Sequence, residues 1–182
     1  MYEQAEANRQ LQQALTQSIN QVSSLDAAFF VTLSQICELT DWDYGEAWIP
    51  EQDGTILKLS PAWCIDPHQD NAIVLALEQF RHCSEKFVLH PNEGLPGRVW
   101  SSQQPEWIAD TSAESETYFL RNKIAKAFGI KAGLGVPIFV NSRIIAVFAF
   151  FMLEIRAEDP QLVELTQAAT TQLGQLLPRF IS

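Results

Sequence analysis

The sequence predicts an α+β fold: an antiparallel sheet with helices packed on one face and connecting helices and loops on the other. Three observations lead there. Apolar residues recur at spacings of three and four near both ends of the chain, the period of an amphipathic helix. Two pairs of extended segments meet at turn signals, Asp53-Gly54 and Asn141-Ser142. No internal repeat is present, and 182 residues suffice for one domain with a substantial core.

The elements follow in order. Tyr2 to Val22 contains no Gly or Pro and is rich in Gln, Ala and Leu, which favour helix. Its stripe of Leu11, Leu15, Ser18, Ile19 and Val22 is narrow, which suits a helix that meets a partner. Ser23-Ser24 breaks it and offers an N-cap. Leu25 to Leu39 carries a broader apolar face of Phe29, Phe30, Leu33, Ile36 and Cys37 and predicts a core-facing helix. Tyr44 to Pro50 alternates as a strand, with Tyr44, Glu46 and Trp48 on one side and Gly45, Ala47 and Ile49 on the other. Thr55 to Ile65 returns as its hairpin partner. Asn71 to Cys83 predicts a helix with Ile73, Leu77 and Phe80 on one face, and Phe87-Val88-Leu89 a short extended piece.

From Glu93 to Asp110 the pattern is turn, short helix, turn and strand. Pro96, with its fixed φ, suits a first helical turn. Leu95, Val99 and Trp100 share an apolar side. Gln104-Pro105 ends the helix, because the residue before a proline is pushed out of the helical region. Trp107-Ile108 is extended. Ser112 to Phe128 predicts one further helix, with Phe119, Leu120, Ile124 and Phe128 apolar. Ile130 to Val140 and Arg143 to Leu153 form the second hairpin; the latter strand is nearly all apolar and is expected to be covered on both faces. Asp159-Pro160 starts the last helix, with Leu162, Leu165, Ala169, Leu173, Leu176 and Phe180 along it.

The order Glu93-Gly-Leu-Pro-Gly-Arg-Val-Trp, then Gln104-Pro-Glu-Trp-Ile-Ala-Asp110, then Ala127-Phe-Gly-Ile-Lys-Ala-Gly-Leu-Gly-Val-Pro-Ile138 resembles the centre of GAF domains, sensor modules of signalling proteins. The resemblance spans about Leu25 to Leu176. It implies a sheet of five to six strands with the first and last helices together on one side. It also implies a pocket on the other side, roofed by the segments 71–83 and 113–128. It divides the chain into an N-terminal signalling and dimerisation helix over 1–23, a core over 24–157, and a C-terminal helix over 158–182 that leads to an output domain such as that of a histidine kinase. The candidate pocket residues are Trp63, Phe80, Trp100, Trp107, Asp110, Phe119, Arg121, Phe128 and Phe148.

Composition bounds the chemistry. The net charge of −10 argues against nucleic acid or an anionic membrane as the main partner, since both require a basic face. The longest apolar run, Ile144 to Leu153, is short of the roughly 20 residues of a membrane helix. The start has Glu3, Glu6 and a Gln-rich run, not the basic start and apolar core of a signal peptide. Three widely spaced cysteines, Cys37, Cys64 and Cys83, form no Cys-x-x-Cys motif and fit a reducing cytoplasm. No nucleophile has a readable base beside it, and no phosphate-cradling glycine loop exists. These absences fit a non-catalytic chain, and the resemblance to GAF domains implies that its role is small-molecule sensing.

Two alternatives accompany it. One is a redox enzyme resembling the free methionine sulfoxide reductases, acting through Cys83, although that group's cysteine trio is not matched. The other is a structural spacer whose pocket its own side chains fill. Bilin-binding members of the family carry a Cys-His pair in the roof, and Glu116 to Phe128 has no cysteine; a covalent bilin is not expected. Other members hold haem through a histidine, for which His82 is the candidate. A homodimer through the terminal helices is expected, because Leu11 and Leu15 lie beyond the reach of the chain's own sheet.

Overall fold

Two hairpins lie side by side at the centre of the molecule, and everything else packs on their two faces. The computed structural model describes residues 1–181. In chain order the elements are α1 (Tyr2–Asn20), α2 (Leu25–Leu39), β1 (Tyr44–Pro50), β2 (Leu57–Ile65), α3 (Asn71–Ser84), β3 (Val88–Leu89), α4 (Gly94–Ser102), β4 (Glu106–Ile108), α5 (Asn122–Phe128), β5 (Gly133–Val140), β6 (Arg143–Phe151) and α6 (Pro160–Leu176). A 3-10 turn over Leu177–Phe180 follows. The six strands form one sheet in the order β3-β2-β1-β6-β5-β4, with antiparallel neighbours throughout. As the apolar run of β6 implied, that strand is central. Its period-two alternation sends Ala146, Phe148 and Phe150 to one core and Val147, Ala149 and Phe151 to the other.

The helix starts are chemically marked. Ser24 Oγ accepts from Ala27 N, Asp70 Oδ1 from Ile73 N, and Asp159 Oδ1 from Gln161 N and Leu162 N. α4 begins at Gly94 with Pro96 inside its first turn. Gly97 must be glycine there: a Cβ would lie 2.5 Å from the carbonyl oxygen of His90. The Gly-Leu-Pro-Gly run is thus a tight turn that starts a helix. Among the described residues no helix is long and apolar enough to cross a membrane.

Two expectations are corrected. Leu11 and Leu15 are 1% and 0% exposed within a single chain. The sheet does not cover them; α2 and α6 form a helical layer on the sheet, and α1 lies against both. Gln172 Nε2 donates to Gln12 O at 2.8 Å, and Arg179 reaches the last carbonyls of α1 and Asn20 Oδ1. The stripe that suggested a second chain is covered by the first. Second, 112–128 is not one helix. Residues 111–121 are turns, and only Asn122–Phe128 is helical. Asp110 Oδ1 accepts from Ser112 N and Oγ, the hydroxyls of Ser115 and Thr117 bond each other, and the Arg98 guanidinium holds the carbonyl of Tyr118. Short polar side chains that bond locally compete with a helix in this way.

Candidate functional site

The sheet face away from α1, α2 and α6 is roofed by α3, the turns of 111–121 and α5, and a fully buried carboxylate lies at its centre. β1 places Tyr44, Glu46 and Trp48 on this face. Glu46 is 0% exposed and accepts four hydrogen bonds: from Tyr44 Oη at 2.9 Å, Trp48 Nε1 at 2.8 Å, and Arg121 Nη2 and Nη1 at 2.6 and 3.1 Å. Arg121 comes from the residue before α5 and spans the space from roof to sheet. Its Nη1 also donates to Ser84 Oγ at 3.0 Å, which in turn donates to Phe80 O. The guanidinium is 5.1–5.6 Å from the ring centres of Trp48, Phe80, Phe119 and Phe151. This is a bidentate pair inside an aromatic box, a geometry that suits a delocalised planar cation. Burial and the Glu46 charge hold the Tyr44 hydroxyl well above its ordinary pKa, so it remains a donor.

A second guanidinium is buried nearby without an equivalent partner. Arg81 on α3 is 5% exposed. Its Nη2 donates to Ser60 O at 2.6 Å, and its Cζ is 5.5 Å from the Trp63 ring. Its Nε and Nη1 have no hydrogen-bond acceptor among the described residues. Glu85 comes only within 3.7 Å of Nε, from a half-exposed position. Arg121 is thus paired with the buried Glu46, whereas Arg81 has the backbone oxygen of Ser60 and, at 3.7 Å, the Glu85 carboxylate. A buried charge whose carboxylate partner stands 3.7 Å away is costly, and its two unmet donors are open to an acceptor.

The structure gathers some of the predicted pocket residues and separates others. Phe80 and Phe119 are buried in the box around Arg121, and Trp63, Trp100 and Phe128 border the same core. Phe148 is corrected: it points to the opposite face, edge-on to Phe29 at 5.3 Å, because residues 148 and 151 of one strand cannot share a face. Trp107 also packs in the opposite core, 5.3 Å from Trp42, with its Nε1 donating to Arg156 O. Asp110 holds the turn at Ser112. Glu46 and Arg81 were missed as site residues. The signal for Glu46 was a lone acid between Tyr44 and Trp48 on the inward side of a strand; for Arg81 it was a cation four residues after Leu77 on the apolar face of α3.

The sulfurs of Cys37 and Cys64, 27 positions apart, lie 3.0 Å from each other in the opposite core. Both thiols are free, as is the half-buried Cys83 of α3, which takes no part in this contact. His82 has a 74% exposed side chain beside Glu85 and points away from the box.

Comparison with known proteins accords with this architecture. Over 101 residues the chain is 30% identical to Protein NLP1 of Arabidopsis thaliana, a match covering 52% of this chain and 11% of that protein's length. The GAF domain of a phosphoenolpyruvate-protein phosphotransferase from Coxiella burnetii superposes with a TM-score of 0.72 at 18% identity, over 95% of this chain and 94% of that one. The free methionine-R-sulfoxide reductase of Neisseria meningitidis, solved with its substrate, superposes with a TM-score of 0.71 at 13% identity, over 95% and 89%. At those identities the likeness is one of fold, shared by a GAF domain of a phosphotransferase and by a reductase. Residues 22–177 match the GAF domain family, to which this chain belongs.

Proposed function

We propose that the domain is a non-catalytic sensory module whose ligand is a small molecule carrying a carboxylate or another compact oxyanion, received under the roof at Arg81. One observation carries the reading. In a chain of net charge −10, the Arg81 guanidinium of the roof is buried with two unmet donors and with Glu85, at 3.7 Å, as its carboxylate. A planar anion accepting from Arg81 Nε and Nη1 would satisfy both. Because Phe80, Phe119, Phe151 and Arg121 fill the space between roof and sheet, entry displaces α3 or the 111–121 turns. That displacement is the signal, passed to the helical layer of α1, α2 and α6 and on to an output domain. The same reading includes a homodimer formed through the outer, Gln-rich faces of α1 and α6, not through Leu11 and Leu15. A monomeric intact chain in sedimentation equilibrium removes that part.

The experiment is thermal unfolding of the intact chain at constant ionic strength against formate, acetate, sulfate and phosphate, followed by titration calorimetry on any hit. A ligand at 100 times its Kd stabilises by about 2.7 kcal/mol, which shifts Tm by roughly 5–10 °C in a domain of this size. Arg81→Met should fold and lose the shift. An equal shift in Arg81→Met, or no shift with any anion, defeats the anion site. Turnover of methionine sulfoxide that depends on Cys83 would defeat the non-catalytic reading instead.

A further inference from the structure

We infer that Cys37 and Cys64 are a redox-modification site, at which a peroxide oxidises the two thiols to a disulfide that ties α2 to β2. The geometry is already assembled. The sulfurs lie 3.0 Å apart, about 1 Å beyond a disulfide bond length, and the side chains are held by separate elements. Cys64 pairs across the sheet with Gly45, where a Cβ would come within 3.2 Å of its sulfur; the missing side chain leaves the thiol its room.

Both cysteines are buried, Cys37 1% and Cys64 6% exposed, and they differ in what borders them. Cys64 lines an open groove of about 500 Å3 between α2, β2 and α3, together with Phe30, Ser34, Trp63 and Val74. A small oxidant arrives at Cys64. Burial and the neighbouring sulfur push the Cys37 thiol well up, which makes it the less reactive of the two toward a peroxide; its contact with Cys64 makes it the resolving group. The chemistry balances in two steps. Cys64–SH and ROOH give Cys64–SOH and ROH, the O–O bond breaking. The Cys37 sulfur then attacks the Cys64 sulfur, the S–O bond breaks, and the hydroxyl leaves as water with the Cys37 proton. Two thiols lose two electrons, and the peroxide is reduced. Because α1 rests on α2, a bond fixing α2 to β2 stiffens the layer that carries the terminal helices. This inference is independent of the anion site.

The test treats the intact chain with a few equivalents of hydrogen peroxide, blocks remaining thiols with iodoacetamide, and digests it with trypsin without reduction. Cleavage after Arg9, Lys58, Arg81 and Lys86 puts each cysteine in its own peptide, 10–58, 59–81 and 82–86. The expected product joins the first two, lighter than the free pair by two hydrogen atoms, and dithiothreitol reverses it. Its Tm is higher by about 7–14 °C, as for a disulfide closing a loop of this length. Cys83→Ser should oxidise like the parent. In Cys64→Ala, Cys37 should remain a free thiol. Sulfinic acid on Cys64 without a link, a link through Cys83, or two unchanged thiols in the folded protein would each overturn the inference.

Discussion

The two faces of one sheet are built on opposite principles. Under α1, α2 and α6 the core is apolar: Phe29, Phe148, Phe150, Leu11, Leu15 and Ile19 meet without a charge, and Trp42 satisfies its Nε1 on Thr166 at 3.1 Å. Under α3 and the 111–121 turns, the same strands enclose Glu46, Arg121 and Arg81. An apolar face gains stability from every buried methylene. A charged interior gains little, because desolvation offsets most of the attraction. The difference teaches which face carries the stability: the first holds the domain together by packing, and the second encloses buried charges that a packing layer would not need.

The largest expected effect breaks the charged face. Glu46→Leu leaves the buried Arg121 guanidinium without its carboxylate and should cost about 3–5 kcal/mol, read as a fall in the urea midpoint. Pairing it with Arg121→Met should restore most of that loss; equal costs for single and double variants would show that the pair is not a unit. Leu15→Ala probes the apolar face and should cost about 2–5 kcal/mol. Leu11→Glu with Leu15→Glu should therefore unfold the helical layer, and a double variant that keeps the parent's unfolding midpoint contradicts the placement of α1. The third effect has the opposite sign. Arg81→Met removes an incompletely paired buried charge and should stabilise the domain by about 1–2 kcal/mol, while abolishing the anion response; a loss of stability would mean that Arg81 is a structural strut.

The smallest effect is one of pH. Burial, more than its charged neighbours, raises the pKa of Asp43, although its carboxylate accepts from Leu153 N at 2.8 Å and from Gln69 Nε2. The folded chain thus holds this proton more tightly than the unfolded one. Its contribution is full below the unfolded pKa, near 3.9, and is lost as pH rises through the higher folded value. Unfolding free energies of the parent and Asp43→Asn, compared across that window, should diverge in this direction; parallel curves would remove the assignment.

The sequence by itself determined the elements and their order, except over 112–128, where turns take the place of most of the expected helix. Period-two alternation in 44–50, the apolar run of 143–151, the turn signals at Asp53-Gly54 and Asn141-Ser142, and the helix starts at Ser24 and Asp159 are local rules, and each is obeyed. The motif around Gly94–Gly97 also determined the fold family, because a turn that admits no Cβ at Gly97 is demanded by backbone contact. Three matters were left to the tertiary structure. Which strand faces share a core depended on pairing, so Phe148 was assigned to the wrong side. Whether Leu11 and Leu15 needed a second chain depended on where α6, some 150 positions away, came to lie. And the site itself, Glu46 with Arg121 across 75 positions and Cys37 with Cys64 across 27, is made by contacts distant in sequence. Hydrogen bonds and sulfur contacts act over about 3 Å, and no spacing along a chain encodes a distance that only the packed sheet brings into being.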